Sequence, residues 1–258
     1  QKNLAEKEEP IENTVIVAGI GCSGNLLHLL EGPQPYGFHG IHGRTLPVSF
    51  GIKTANPKLN VVIVAGDGDF LSIGMEHIAP QAARNLDVTA IIMDNGVYGL
   101  TKGQSSPTAK TGEITSSTPY GKIEKEINPL EIYLSLGVSF IASAFSGKIK
   151  QLNNIIEEAI EHPGFSIVNV QSPCTTYNNT YEQLKGSKAK NIAPMIQDIP
   201  ANHDVTNKQE SYNLLNKETI PIGILYKSIE KSFTEKFSNT MKNAPENSAA
   251  KLLESYKI

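Results

Sequence analysis

"VVIVAGDGDF" (residues 61–70) and "AIIMDNGVYG" (residues 90–99) are two apolar, β-branched runs, each breaking off into a turn that carries glycine and a side-chain oxygen. Short continuous apolar runs bounded by turn residues read as strands buried on both faces, the pattern of a parallel sheet. Between them, "SIGMEHIAPQAARNL" sets Ile78, Ala82, Ala83 and Leu86 on one helical face, with Pro80 as a local objection. The three pieces form a βαβ unit. "TVIVAG" (14–19) repeats the strand design, and so does "FSIVNVQSPC" (165–174). The latter comes after an amphipathic helix whose stripe is Leu152, Ile155, Ile156, Ala159 and Ile160 and which stops at Pro163-Gly164. The chain is therefore expected to be α/β, an open parallel sheet with helices on both faces over residues 1–178. Residues 179–258 are expected to form a C-terminal extension wrapping the domain or a partner subunit. Residues 101–128, rich in Ser, Thr, Gly and Lys with little periodicity, read as a lid or as a disordered insert.

Bulk properties exclude several classes. With 258 residues, 39% hydrophobic, the chain can bury a sizeable core, and a net charge of −3 argues against a polybasic nucleic-acid or membrane footprint. Its apolar runs are far shorter than a membrane span, and "QKNLAEKEEP" is too charged for a signal peptide. The only two cysteines, Cys22 and Cys174, do not make a disulfide framework. A soluble, cytoplasmic protein with no nucleic-acid or membrane partner is expected.

"GIGCSG" (19–24) matches G-x-G-x-x-G directly after a strand, so a dinucleotide site has to be weighed. That site needs a helix next and an acid about 20 residues on, at the end of a second strand. Here "NLLHLLE" runs into "GPQPYGFHGIHGR", and Arg44 stands where the acid belongs, so a nicotinamide or flavin site is disfavoured. Cation chemistry suits the other two turns better. Asp67 and Asn95 fall at the carboxyl ends of parallel strands, where open α/β sheets bind ligands, and both offer oxygen to a hard ion. Gly66 and Gly68 would let backbone N–H groups approach a diphosphate. His39 and His42 have the spacing of a zinc pair, or are plain loop packing. Taken singly, Gly-Asp-Gly and Asp-Asn-Gly are ordinary turns.

Taken together, the Gly-Asp-Gly at 66–68 and Asn95 resemble the diphosphate motif of thiamine-diphosphate enzymes. Five ordered blocks, "GIGCSG", "YGFHGIHGRTLPVSFGIKTANP", "VAGDGDFLSIGMEHI", "DNGVYGLTKGQSSPT" and "GFSIVNVQSPC", resemble the β subunit of 2-oxoacid:ferredoxin oxidoreductases, in the 2-oxoglutarate or broad 2-oxoacid form. The likeness runs from about residue 14 to 178, with "IPIGILY" as a fainter echo. It implies the thiamine-diphosphate-binding fold, with Mg²⁺ held by Asp67, Asn95 and the Val97 carbonyl. It implies further cofactor contacts from Gly21, Cys22, Ser23, His42, Gly43, Arg44, Gly66, Gly68, Asp69, Gly99 and Leu100. Leu100 and Lys102 become candidate substrate contacts, the lysine having a solvated surface role as its alternative. Asn25 departs from the family, where a basic residue is common.

By the same resemblance Cys22 and Cys174 ligate a 4Fe–4S cluster together with two further cysteines from an upstream C-x-x-C-G motif. That motif is not in this sequence, so either the chain given starts downstream of it or the cluster has been lost; the former is the expectation. The α subunit would supply the activating Glu, and no catalytic residue is assigned in this chain. Coenzyme A, a 2-oxo acid and ferredoxin complete the implied partners. A non-redox thiamine-diphosphate enzyme subunit and a catalytically silent assembly subunit stand as alternatives.

Overall fold

The computed structural model describes residues 10–242 and 253–256. Its main sheet uses β1 (Thr14–Ala18), β2 (Tyr36–His39), β3 (Asn60–Gly66), β4 (Val88–Asp94), β7 (Phe140–Phe145), β8 (Phe165–Gln171), β9 (Ile196–Asp198) and β10 (Ile220–Lys227). Their order is β2-β1-β3-β4-β8-β7-β10-β9; β5 (Val97–Tyr98) and β6 (Gln104–Ser105) form a separate small ribbon. The first six strands of that order are mutually parallel, and β10 joins β7 antiparallel. The expected α/β open sheet is thus observed. The stretch after residue 178 extends the same sheet, through β9 and β10.

Alternation along each strand explains the two layers. Val15, Val17, Val61, Ile63, Ala65, Val88, Ala90, Ile92, Ile141, Phe165 and Ile167 share one buried face. They pack there against α1 (Thr45–Ala55), α2 (Ile78–Arg84) and α3 (Pro129–Leu136) through Leu46, Ile78, Leu130 and Tyr133. The residues between them turn the other way. Phe140, Ala142, Ala144, Val168 and Val170 meet Ile155 and Ala159 of α4 (Ile149–Glu161), while Ile16, Val62 and Val64 meet Leu27. Full burial of each such branched side chain contributes about 1.5–3 kcal/mol, so both faces must be covered. Pro80 causes no break because it sits in the first turn of α2, where no backbone N–H is required. Asn128, whose Oδ1 accepts from Leu130 N–H, opens α3 beside Pro129, and Gly137 at φ 76° closes it. Among the described residues no helix is long and apolar enough to cross a membrane.

The connection 101–128 is folded as a hydrogen-bonded loop, which removes the disordered alternative. The buried Lys122 ammonium donates to the carbonyls of Ala109 (2.9 Å) and Glu124 (3.2 Å), and Ile127 N–H closes onto Pro107 at 3.0 Å. The loop root is held at the other end by Ser106 N–H on the Gly96 carbonyl, 3.2 Å.

At the opposite, amino end of the strands, Ser139 Oγ lies 2.6 Å from Asn85 Oδ1 and 2.8 Å from His162 Nε2. The His162 Nδ1 is buried with no partner. Burial, followed by Lys227, holds the His162 pKa down to about 4, so the folded protein keeps the ring neutral. The unfolded chain takes up that proton first as pH falls. The stability tied to the neutral ring is therefore present above about pH 6.5 and is lost between pH 6.5 and 4, by on the order of 2 kcal/mol after allowance for solvent screening. Denaturation midpoints from pH 7.5 to 4.5 should fall more steeply in the parent than in His162→Gln; parallel curves would remove His162 from the account.

Candidate functional site

The chain leaves β1 for β2 on one side and returns past it to β3 on the other, which opens a crevice at the carboxyl ends of these two strands. Three glycine loops meet there. Gly19 N–H donates to the Val64 carbonyl at 2.8 Å. Asp69 Oδ1 accepts from Ile20 N–H (3.0 Å) and Gly43 N–H (2.8 Å), tying the loops at 19–24 and 40–44 to the turn after β3. His42 Nδ1 lies 2.5 Å from the same oxygen. A Cβ at Gly24 would overlap the Gly19 carbonyl oxygen, and one at Gly43, where φ is 69°, would strike the backbone at Ile73 and Gly74. Gly19 and Gly24 of "GIGCSG" and Gly43 of "IHGR" are required by this loop-on-loop packing. Past "GIGCSG" the chain winds into a 3₁₀ turn, Gly24–Leu29, and not into the α-helix that a dinucleotide fingerprint needs.

Asp67 is 1% exposed at the end of β3. Its Oδ1 faces Asn95 N–H at 3.4 Å, and its Oδ2 lies 2.7 Å from Thr108 Oγ1. Burial first, and then the neighbouring Asp94, push the Asp67 carboxyl up to about 7. Two acids are thus packed together out of water. Asn95 Oδ1 accepts from Val97 N–H at 3.0 Å, and the Asn95 carbonyl accepts from Asn178 Nδ2 at 3.0 Å, which fixes the turn after β4. Among the described residues no three His, Cys, Asp or Glu side chains form a metal-ligating group. A cation at Asp67 would have to draw on amide and carbonyl oxygen as well, which is the donor set of a hard ion such as Mg²⁺.

Above this turn the Tyr98 ring covers Gly68. A Cβ on Gly68 would overlap that ring, and Tyr98 Oη donates to the Gly68 carbonyl at 3.3 Å. Ser23 is buried, with its Oγ 3.4 Å from where a Gly66 Cβ would be. One residue beyond Tyr98 the two cysteines meet. A Cβ placed on Gly99 would lie 3.5 Å from Cys22 Sγ and 3.7 Å from Cys174 Sγ, so the sulfurs are separated by no more than the sum of those distances. Both thiols are free, Cys22 exposed and Cys174 half-buried. That span is within reach of one cluster whose metal–thiolate bonds are near ~2.3 Å. Two thiolates are half of what a cubane takes.

Other expected residues fall around this core. Leu100 and Lys102 are exposed at the mouth, Lys102 with φ 84° in the turn that Gly103 N–H closes onto the Tyr98 carbonyl. Gly21, at φ 129°, has no neighbour near its Cα face. Arg44 is turned to the carbonyls of Gly43 and Ile73 and to Glu76. Asp69 commits Oδ1 to two N–H donors, while its Oδ2 is buried with no hydrogen-bond partner. The H-x-x-H pair is divided: His39 Nδ1 is 2.8 Å from His28 Nε2, while His42 belongs to Asp69. Asp94 and Thr108 do not stand out in the sequence. The signal for Asp94 is its place immediately before Asn95; Thr108 carries none, being one hydroxyl in a loop full of them.

A family model described as thiamine pyrophosphate enzyme, C-terminal TPP binding domain, matches residues 19–170. A second, for the C-terminal part of the pyruvate ferredoxin oxidoreductase beta subunit, matches residues 174–242. The chain is 37% identical over 248 residues to the 2-oxoacid:ferredoxin oxidoreductase subunit beta of Saccharolobus solfataricus, covering 91% of this chain and 80% of that one. It is 33% identical over 225 residues to the 2-oxoglutarate synthase subunit KorB of Archaeoglobus fulgidus, covering 87% and 78%. Among solved structures, a 2-oxoglutarate:ferredoxin oxidoreductase from Magnetococcus marinus, with 2-oxoglutarate, coenzyme A and succinyl-CoA bound, superposes with a TM-score of 0.89 at 32% identity. That match covers 100% of this chain and 87% of the other.

Proposed function

Since the chain belongs to the β-subunit family of the 2-oxoacid:ferredoxin oxidoreductases, with its thiamine-diphosphate-binding domain, we propose that it holds the diphosphate half of a split active site and one edge of a 4Fe–4S cluster. The reaction proposed is the coenzyme A-dependent oxidative decarboxylation of a 2-oxo acid, with ferredoxin as electron acceptor. The observation that carries this reading is the spacing along Val97–Tyr98–Gly99. Val97 belongs to the turn of Asp67 and Asn95, and Gly99, two residues on, faces both thiols. A non-redox thiamine-diphosphate subunit has no use for thiols so close to the diphosphate turn.

Asp67 and Asn95, with the Val97 carbonyl, would hold Mg²⁺, and the fit rests on the buried carboxylate pair of Asp67 and Asp94, whose mutual repulsion a cation would offset. Gly66 and Gly68 would present backbone to the diphosphate, since the ring of Tyr98 leaves no room for a side chain at 68. When bound, thiamine diphosphate supplies an electron sink for loss of CO₂ and the cluster a one-electron outlet. The chain's own tasks are to bind, to orient and to exclude water. Lys102, exposed at the mouth, is available to a substrate carboxylate. The α subunit is the proposed source of the activating Glu and of the coenzyme A site, and the proposed cluster needs two thiolates beyond the two cysteines of this sequence.

Turnover with a 2-oxo acid, coenzyme A and ferredoxin is therefore expected only when this chain is combined with its α subunit. Ferredoxin reduction by the isolated polypeptide at a rate comparable to the assembled enzyme would overturn the split-site reading.

A further inference from the structure

We propose that Thr108 is the positioning residue for the Asp67 carboxylate, and that through it the 101–128 loop is seated on the cation site. The inference rests on the reading of Asp67 as a cation ligand. Thr108 Oγ1 lies 2.7 Å from Asp67 Oδ2 and 2.8 Å from Asp94 Oδ1. Asp94 is itself immobilised from β8, its Oδ2 accepting from Asn169 Nδ2 (3.2 Å) and Gln171 Nε2 (3.1 Å). The contacts run from β8 to Asp94 to Thr108 to Asp67, and they end on one particular oxygen of the carboxylate.

Engaging Oδ2 decides which oxygen is left for an ion. Oδ1 remains, on the side of the Asn95 turn, where Asn95 N–H approaches it at 3.4 Å. The Ser106 hydroxyl also bonds this carboxylate, but Thr108 alone links it to Asp94, and loss of that link leaves the broad, two-fold carboxylate torsion freer to turn away from the Asn95 loop. Partners one step behind a metal ligand typically govern metal affinity by about 10–100-fold.

Thr108 also belongs to the loop and not to the sheet. Its neighbours hold it there: Ser106 N–H is on the Gly96 carbonyl, Ala109 N–H on Ser106, and Ser106 Oγ is 3.2 Å from Thr108 Oγ1. An ion that pulls Asp67 into one orientation therefore strengthens the seat of the loop, and by linkage a displaced loop weakens the ion. Leu100 immediately precedes the 101–128 loop and Lys102 lies within it, so the residues offered to substrate border the segment that the cation would steady.

The test uses the chain assembled with its partner subunit, stripped of divalent ions, and compares Thr108→Val, Thr108→Ala and Thr108→Ser with the parent and with Asp67→Asn. Mg²⁺ is titrated at fixed thiamine diphosphate by calorimetry, and melting temperature and deuterium uptake over residues 104–111 are followed with and without Mg²⁺. For Thr108→Val and Thr108→Ala the Mg²⁺ half-saturation point is expected to rise by about 10–100-fold. Thr108→Ser should stay near the parent, and the metal-free melting temperature should barely move. Mg²⁺ should slow deuterium uptake in the parent and in Thr108→Ser but not in Thr108→Val. Unchanged Mg²⁺ saturation in Thr108→Val, alongside a large loss in Asp67→Asn, would overturn the role of Thr108 and leave the cation site standing. Absence of any Mg²⁺ effect in the parent and in Asp67→Asn would instead overturn the cation reading itself.

Discussion

Asp67→Ala is expected to weaken Mg²⁺-dependent retention of thiamine diphosphate by more than the roughly 10–100-fold typical of a residue one step behind a metal ligand, while leaving the fold intact. The side chain is 1% exposed, and its polar contacts are the Asn95 N–H and the hydroxyls of Ser106 and Thr108. Beside Asp94 and without a cation, its ionised form is disfavoured, as the rise of its pKa to about 7 records. Removing it relieves that repulsion, so the metal-free protein should melt at or slightly above the parent temperature. Calorimetric titration of the assembled enzyme measures the first effect and thermal denaturation the second. Parent-like binding in Asp67→Ala would take the metal assignment away, whatever the melting temperature.

Cys22→Ser and Cys174→Ser, taken separately, are each expected to remove most of the iron, the acid-labile sulfide and the visible charge-transfer absorption, and to leave thiamine diphosphate bound. Alkoxide or hydroxyl oxygen is a poorer ligand than thiolate for such a cluster. Neither thiol supports the core: Cys22 is exposed and Cys174 half-buried, both directed at the bare face of Gly99. A structural effect would show in the melting curve, whereas loss of a ligand shows in the iron. Iron content unchanged in both variants would leave the thiamine half of the proposal without its redox half.

Much of this architecture is legible in the sequence because parallel strands write themselves plainly. Val61–Ala65 and Ala90–Met93 are continuous apolar runs since helices cover both faces, and the amphipathic stripe through Leu152, Ile155 and Ala159 packs where its period says it should. The carboxyl-end turns are legible for the same reason: Gly66, Asp67 and Asn95 come where a strand must stop. Side-chain direction is not legible. Asp69 looks as available to a diphosphate as Asp67, and only the tertiary positions of Ile20 and Gly43 turn its carboxylate inward. Nor could spacing reveal that His39 would leave His42 for His28, since the partner comes from the 3₁₀ turn Gly24–Leu29. Thr108 is met by Asp67 from 41 positions away, a separation at which sequence carries no local trace. The late stretch "IPIGILY" alternates weakly because β10 is a strand near the margin of the sheet, with only some of its positions buried.

That late strand sets the order in which the molecule can be finished. All six residues of β7 are buried, and one of its two edges is covered by β10, whose Ile224 and Tyr226 are drawn from roughly eighty positions later in the chain. During synthesis, everything needed for the glycine crevice has left the ribosome well before residue 220. Until then Phe140–Phe145 presents a bare row of backbone donors and acceptors flanked by apolar side chains, a template for pairing with another nascent chain. The antiparallel return of β10 is thus what closes the open edge of β7.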